Sequence, residues 1–192
     1  MDEEKKPAAK PKVQRRVRTP TRLQMEATEC GAAALGIILE FHGRYVPLDV
    51  LRDDCGVSRD GSNAFYIKEA AKRYGLEVKA FRKPAEGLNT RKPPFIVFWE
   101  SNHFLVVEGF SRKRVHLNDP AVGRRSVSFD EFSRSYTGIA FTFEPGPQFV
   151  RQGRRPSALR GLIRRLSSSR VALGFVVLAG LALVVPSLLS AA

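Results

Sequence analysis

Leu23-Gln24-Met25-Glu26-Ala27-Thr28-Glu29-Cys30-Gly31-Ala32-Ala33-Ala34-Leu35-Gly36-Ile37-Ile38-Leu39 is the stretch around which this chain is organised. Thr28 or Glu29 gives it a polar start. The apolar residues run on through Phe41 to His42-Gly43, where glycine suits a C-terminal cap. The run is apolar nearly all round, which predicts the central buried helix of the domain. Cys30 falls in its first turn. A helix N-terminus, with unpaired N–H groups and the positive dipole end, favours a thiolate, the nucleophilic form of cysteine. A buried structural cysteine fits this stretch at least as well, so the surrounding chain has to decide.

Working outward, Pro47 opens a helix over Leu48–Cys55 that stops at Gly56. Cys55 follows two aspartates, whose charge disfavours a thiolate, and reads as structural. Ser62 reads as the cap of a helix over Asn63–Tyr74, with Gly75 as its stop. After Gly75 the period changes to that of strands. Leu76–Phe81 alternates, and Phe95–Trp99 is a short apolar run after Pro93-Pro94. His103–Phe110, Arg114–Asn118 and Ile139–Phe143 complete the strands, with one helix over Phe129–Tyr136. Helices first and an antiparallel sheet second make an α+β domain.

The 192 residues carry a formal charge of +13, but its distribution matters more than its size. Residues 1–22 and 151–170 hold the excess of Lys and Arg, while 23–150 is nearly balanced. The domain is therefore no nucleic-acid surface, and no nucleic-acid partner is expected. Residues 1–17 are expected to be a disordered basic leader, and the same character extends to Arg22. Two cysteines make no disulfide framework, and Met1–Arg22 has no apolar run, so free thiols in a reducing, cytosolic setting are expected. Residues 146–156 read as a linker. In 157–170, Leu159, Leu162, Ile163 and Leu166 lie on one helical face among arginines, the pattern of an interfacial helix on anionic lipid. Residues 171–190 hold no charge and are long enough to span a bilayer. The positive flank precedes them, which places the N-terminal domain on the cytoplasmic side. The chain then reads as the front of a longer membrane protein.

His42, His103 and His116 are the candidate bases. A hairpin of His103–Phe110 with Arg114–Asp119, turning near Ser111, sets His103 opposite Asp119 and Leu105 opposite Leu117, with Glu108 facing Arg114 on the other side. His103 and Asp119 then share the end of an apolar face expected to pack on the helix after Cys30. His116 points the other way, and His42 reads as a partner of the helix C-terminus. A thiol at a helix start, an imidazole on a strand and a carboxylate beside it form the logic of a cysteine-peptidase triad. Gln24 lies just ahead of Cys30, so its amide can join the Cys30 N–H in stabilising an oxyanion.

Leu-Gln-Met-Glu-Ala-Thr-Glu-Cys-Gly-Ala-Ala-Ala-Leu, His-Phe-Leu-Val-Val-Glu-Gly and Leu-Asn-Asp-Pro-Ala-Val-Gly, in that order, resemble the double-glycine leader peptidases. These are papain-like domains at the front of ATP-binding-cassette exporters of bacteriocins, here closest to the NHLP type. The resemblance covers residues 18–145. It implies Cys30 as nucleophile, His103 as base and acid, Asp119 as orienting residue and Gln24 as oxyanion donor. It implies cleavage of a precursor leader after Gly-Gly, no cofactor for the peptidase step, and ATP and Mg confined to a transporter part. It further implies a bacterial inner-membrane protein that contacts lipid through 157–190 and forms a homodimer at full length. A docking module that holds cargo without cutting it, and a transferase on the same centre, are the competing readings. No phosphate-loop pattern occurs in these residues.

Overall fold

The computed structural model describes residues 16–59, 61–155, 174–176 and 178–181. Contacts divide the chain into one unit up to Gly153 and another from Arg154. In the second, residues 174–176 and 178–181 are helical. The interfacial helix expected over 157–170, and most of the span expected over 171–190, lie outside the described residues, as do residues 1–15 of the leader. Among the described residues no helix is long and apolar enough to cross a membrane.

The first unit is α+β. A single 3-10 turn, Ala27–Glu29, leads into α1 (Cys30–Phe41), followed by α2 (Leu48–Asp54) and α3 (Ala64–Arg73). A six-stranded antiparallel sheet is built from β1 (Leu76–Arg82), β2 (Phe95–Trp99), β3 (His103–Phe110), β4 (Arg114–Asp119), β5 (Gly123–Ser128) and β6 (Tyr136–Pro145). A 3-10 segment (Ala85–Thr90) precedes β2 and a helix, α4 (Phe129–Ser135), precedes β6. The order across the sheet is β1-β6-β2-β3-β4-β5, so the last strand enters between the first two.

The central strands of the sheet are buried on both faces. Helix α1, buried from Cys30 to Leu39, packs with Ile67, Ala70 and Ala71 of α3 against Ile96, Phe104, Val106, Phe141 and Phe143. The other face, carrying Phe95, Val97, Leu105, Val107, Val115 and Leu117, packs on Leu88 and on Phe129 and Phe132 of α4. The Leu105–Val107 face expected to meet α1 therefore meets α4, and α1 takes the alternate residues of β3. Nearly every residue of β3 is buried, so alternation gives no cue to which face belongs to which layer.

The β3–β4 register also differs from expectation. Val106 pairs with Asn118 and Val107 with Leu117, and a bulge then shifts the pairing to Gly109–His116. This is two residues from the expected register, so each side chain keeps its face before the bulge while its partner changes. Glu108 does not pair with Arg114. It is fully buried and held by Arg16 and Thr19, ahead of Gln24, and by Arg124 of β5. Arg16–Arg22, read as leader-like, is laid on the domain together with Leu23 and Gln24: Val17 N–H bonds Glu108 O at 2.9 Å and Gln24 N–H bonds Pro120 O at 2.8 Å. Residues 146–153, read as linker, pack back too, through Tyr45 N–H to Gln152 O at 2.9 Å and Phe149 against the helical core. The strand over Gly123–Ser128 was not expected; only Gly123 and Val127 in it are buried.

Candidate active site

The turn that carries the cysteine is built by Glu29. Its buried carboxylate reaches back to accept the N–H groups of Met25 at 2.7 Å and Glu26 at 3.1 Å, and Arg52 pairs with it at 3.0 Å. A 3-10 turn from Ala27, capped by Glu26 and closed by Glu29 in a capping box, precedes α1; of the two expected starts, Thr28 lies inside that turn and Glu29 is the N-cap of α1. Cys30 opens α1 and is 2% exposed. The Ser62 hydroxyl accepts from Gly31 N–H at 3.2 Å and donates to Thr28 O at 3.0 Å, clamping the turn on both sides of the thiol. Ser62 is therefore not the cap of α3; Asn63 is, accepting from Phe65 N–H at 2.8 Å. Cys55 is free and fully buried, its thiol pushed up to about 12 by burial and by Asp54.

His103 begins β3, directly after a turn in which Glu100 and Ser101 adopt φ of 48° and 60°. Left-handed conformations at two non-glycine residues carry strain, and here they reverse the chain in the least space so that His103 pairs with Trp99. At the strand's end the ring reaches both layers. Its Nε2 lies 2.7 Å from Asp119 Oδ1, and it is hydrogen-bonded to Cys30. With one nitrogen on Asp119, the other is left for the sulfur. The two residues are diagonal neighbours across β3 and β4, since Val106–Asn118 pairing sets Asp119 level with Leu105. Burial alone lowers the imidazole's pKa, but hydrogen bonds to Asp119 and Cys30 and their negative charge overcome it and raise the value to about 9.

Asp119 accepts from Ala121 N–H at 2.9 Å and from Arg125, whose Nε and Nη2 lie 3.0 and 2.9 Å from Oδ2. Burial opposes its charge, yet His103, the Ala121 N–H and Arg125 hold its carboxyl below the usual carboxylate range. Arg125 in turn lies over the Trp99 ring, 5.3 Å from its centre, a cation–π contact. Arg125, Trp99 and Ser62 are site residues that sequence reasoning missed. Reading Gly123–Ser128 as a strand puts its two arginines on opposite faces: Arg124 goes to Glu108 and Arg125 to Asp119.

Gln24 lines an open cleft of about 300 Å³ together with Ala27, Trp99, His103, Asp119 and Arg125. Its side-chain carbonyl oxygen is buried with no partner in the protein. The four expected residues are thus brought to one place: Cys30 and Asp119 on either side of His103, and Gln24 in the cleft beside them. A larger cavity of about 720 Å³ lies against Phe41 and His42, at the other end of α1, and contains none of the four. His42 bonds to the backbone of Phe143 and has its pKa lowered, chiefly by burial. His116 meets the Ser126 hydroxyl at 2.8 Å. Among the described residues no group of three or more His, Cys, Asp or Glu is placed to hold a metal ion.

The family model for peptidase C39 matches residues 18–148. The chain belongs to the peptidase C39 family. A crystal structure titled as a double glycine motif protease from an AMS/PCAT transporter in complex with the leader peptide is 46% identical. The match covers 71% of this chain and 99% of that one, with a TM-score of 0.67. The peptidase domain of Streptococcus ComA, described as a bi-functional ABC transporter, is 26% identical with a TM-score of 0.61, over 65% and 96% of the two chains. Among curated proteins, the probable microcin-H47 secretion/processing ATP-binding protein MchF of Escherichia coli is 35% identical over 79% of this chain. The colicin V secretion/processing protein CvaB of the same organism is 35% identical over 69%. The chain spans only 22% and 19% of the length of these two relatives. As in the C39 structures, helices packed on an antiparallel sheet give a papain-like peptidase domain, and the chain is a cysteine peptidase by family.

Proposed function

We propose that this C39 domain is a cysteine endopeptidase that removes the leader of a bacteriocin-type precursor by cutting after a Gly-Gly pair. The observation that carries the reading is the His103 ring, held at 2.7 Å by Asp119 and bonded to Cys30. Below about pH 9 this imidazole carries its proton, which suits a thiolate–imidazolium pair. The Cys30 sulfur attacks the carbonyl carbon of the second glycine, and the carbonyl electrons move to oxygen. The Cys30 N–H and the Gln24 side-chain NH₂ receive that oxyanion. Collapse breaks the C–N bond, and His103 gives its proton to the departing amine of the mature peptide. Water, deprotonated by His103, then hydrolyses the thioester and frees a leader ending in a glycine carboxylate. Asp119 keeps the ring oriented throughout. Glycine at both positions lets the substrate backbone come close to the catalytic groups, where a side chain obstructs.

The names of the relatives, secretion/processing ATP-binding proteins, support an exporter setting, and the basic flank before the uncharged residues 171–190 supports a membrane one; the wider assignment follows. The domain sits at the front of an ATP-binding-cassette exporter in a bacterial inner membrane, faces the cytoplasm, and pairs with a second copy at full length. Residues 157–190 contact lipid, and ATP with Mg²⁺ serves the transporter part, with no cofactor in the peptide-bond step. A docking module without cleavage makes no use of the Cys30–His103–Asp119 set. The test is to incubate the purified chain with a Gly-Gly precursor and weigh the products. The expected result is a leader ending in free glycine, abolished in Cys30→Ala. An intact precursor with the wild-type chain, or continued cleavage by Cys30→Ala, overturns the proposal. An adduct on the leader C-terminus instead of a free acid identifies a transferase.

A further inference from the structure

The nine residues ahead of the cleft hold more buried polarity than a tail needs. Thr19 is 1% exposed and Arg22 is 7% exposed. The Glu108 carboxylate, wholly buried, takes Thr19 N–H and Thr19 Oγ1–H, both at 2.9 Å, and Arg124 Nε at 3.1 Å on one oxygen, and Arg16 Nη2 at 3.1 Å on the other. Asn118 donates to Thr19 Oγ1 at 2.8 Å and to Pro20 O at 3.0 Å, and Arg124 also reaches Thr19 O. Three residues on, Arg22 crosses to the helical layer. There it donates to Val46 O at 2.7 Å, lies 4.7 Å from the Tyr45 ring centre, and fills the space beside Gly36, where even a Cβ would meet its guanidinium. The segment then ends at Gln24, whose N–H is fixed on Pro120 O, one residue past Asp119.

We infer that Arg16–Gln24 is a positioning strap, and that Glu108, buried beneath it, sets where the Gln24 amide stands relative to Cys30 and His103. The inference rests on the oxyanion role proposed for Gln24. Glu108 touches no reacting group; it acts through Thr19 and the strap. A buried carboxylate with this many donors holds one geometry, because any slip leaves a charge or a donor unpaired. The strap is pinned to β3, β4 and β5 at one end and to the helical layer in the middle, so Gln24 is referenced to both halves of the triad. A displaced oxyanion donor costs turnover but not ground-state binding.

The test compares Glu108→Gln, Gln24→Ala and the double variant on a Gly-Gly precursor, with Thr19→Val as a second strap variant should Glu108→Gln fail to fold. Glu108→Gln, or Thr19→Val in its place, is expected to lower kcat about 10- to 100-fold with KM nearly unchanged. Cys30 is expected to react with iodoacetamide at the wild-type rate, since the thiol and its imidazole are untouched. In the strap-loosened background Gln24→Ala adds little, because the donor is already out of place. Fully multiplicative effects of the two substitutions overturn the strap while leaving the oxyanion role standing. A parallel fall in kcat and alkylation rate also overturns it, by showing a merely structural role. A Gln24→Ala variant that turns over like wild type overturns the oxyanion role and the strap with it.

Discussion

Replacing Asp119 by Asn removes one charge and almost no volume from the cleft. Asn keeps an oxygen to accept from His103 Nε2, so the ring stays in place while its negative neighbour is gone. The gap between the ordinary imidazole value of 6.5 and about 9 corresponds to about 3 kcal/mol in favour of the charged ring. Asp119 supplies part of this through its hydrogen bond and its charge, and Cys30 supplies the rest. An opposite charge at this distance moves a pKa by about one to three units, so the alkaline limb of kcat/KM is expected to fall from about 9 by roughly one to two pH units. The ratio of variant to wild-type activity then drops roughly 3- to 20-fold between pH 6 and pH 8.5. The sign follows from the direction of the shift: the imidazolium is the general acid, it is present below its pKa, and a lower pKa removes it sooner. Alkylation of Cys30 across the same pH range reports the same limb without substrate. A variant whose limb stays near 9 would falsify the reasoning, since Asp119 would then not be what holds the proton. Folding is linked to the same group. Stability from the charged ring is complete below pH 6.5 and is lost as pH rises through about 9, so wild-type urea midpoints fall over that window and those of the variant fall less.

Three further outcomes are expected. At Gly31 an added Cβ meets Ser62 Cβ at 2.4 Å and Ile67 Cδ1 at 2.5 Å, so Gly31→Ala is expected to cost about 1–3 kcal/mol in urea unfolding; an unchanged midpoint refutes the close packing. The Glu108 carboxyl is held below its ordinary 4.5, with burial opposed by bonds from Thr19, Arg124 and Arg16. Its stabilisation is present above pH 4.5 and lost as pH falls, so Glu108→Gln should flatten the acid side of the stability profile, and a profile as steep as wild type argues against the buried charge. Ser101→Gly relieves one left-handed residue and is expected to raise stability by about 1 kcal/mol with cleavage retained; a loss of stability shows that the turn is not strained there.

Much of this domain is legible in its residues because helix and strand periods change cleanly at Gly75. The helix after Cys30 is apolar all round and is buried all round. The His103–Asp119 pair survives a register two residues out because such a slip preserves faces. What was not legible is long-range. Arg16–Arg22 looks like a solvated tail until Glu108, 89 residues from Thr19, shows why a charged segment can be buried. Glu108 looked like a cross-strand partner of Arg114 for the same reason. Gly123–Ser128 buries only Gly123 and Val127, too little for a strand pattern, and with it Arg125 was lost from the site. Ser62 reads as a helix cap by local rules, and only the fold brings it to Gly31.

The two-faced sheet has a mechanical consequence. Cys30 belongs to the core on one side, while Leu117, two residues before Asp119 and on the same face of β4, belongs to the other. His103 is at the rim where the two meet. The Cys30–His103 contact therefore depends on how the helical layer seats on β3, a packing held by α1 against Phe104 and Val106. The triad thus spans a packed interface: the sulfur is carried by the helical layer and the ring and carboxylate by the sheet. Activity is therefore expected to fall at lower urea than the unfolding signal; coincident transitions argue against this reading.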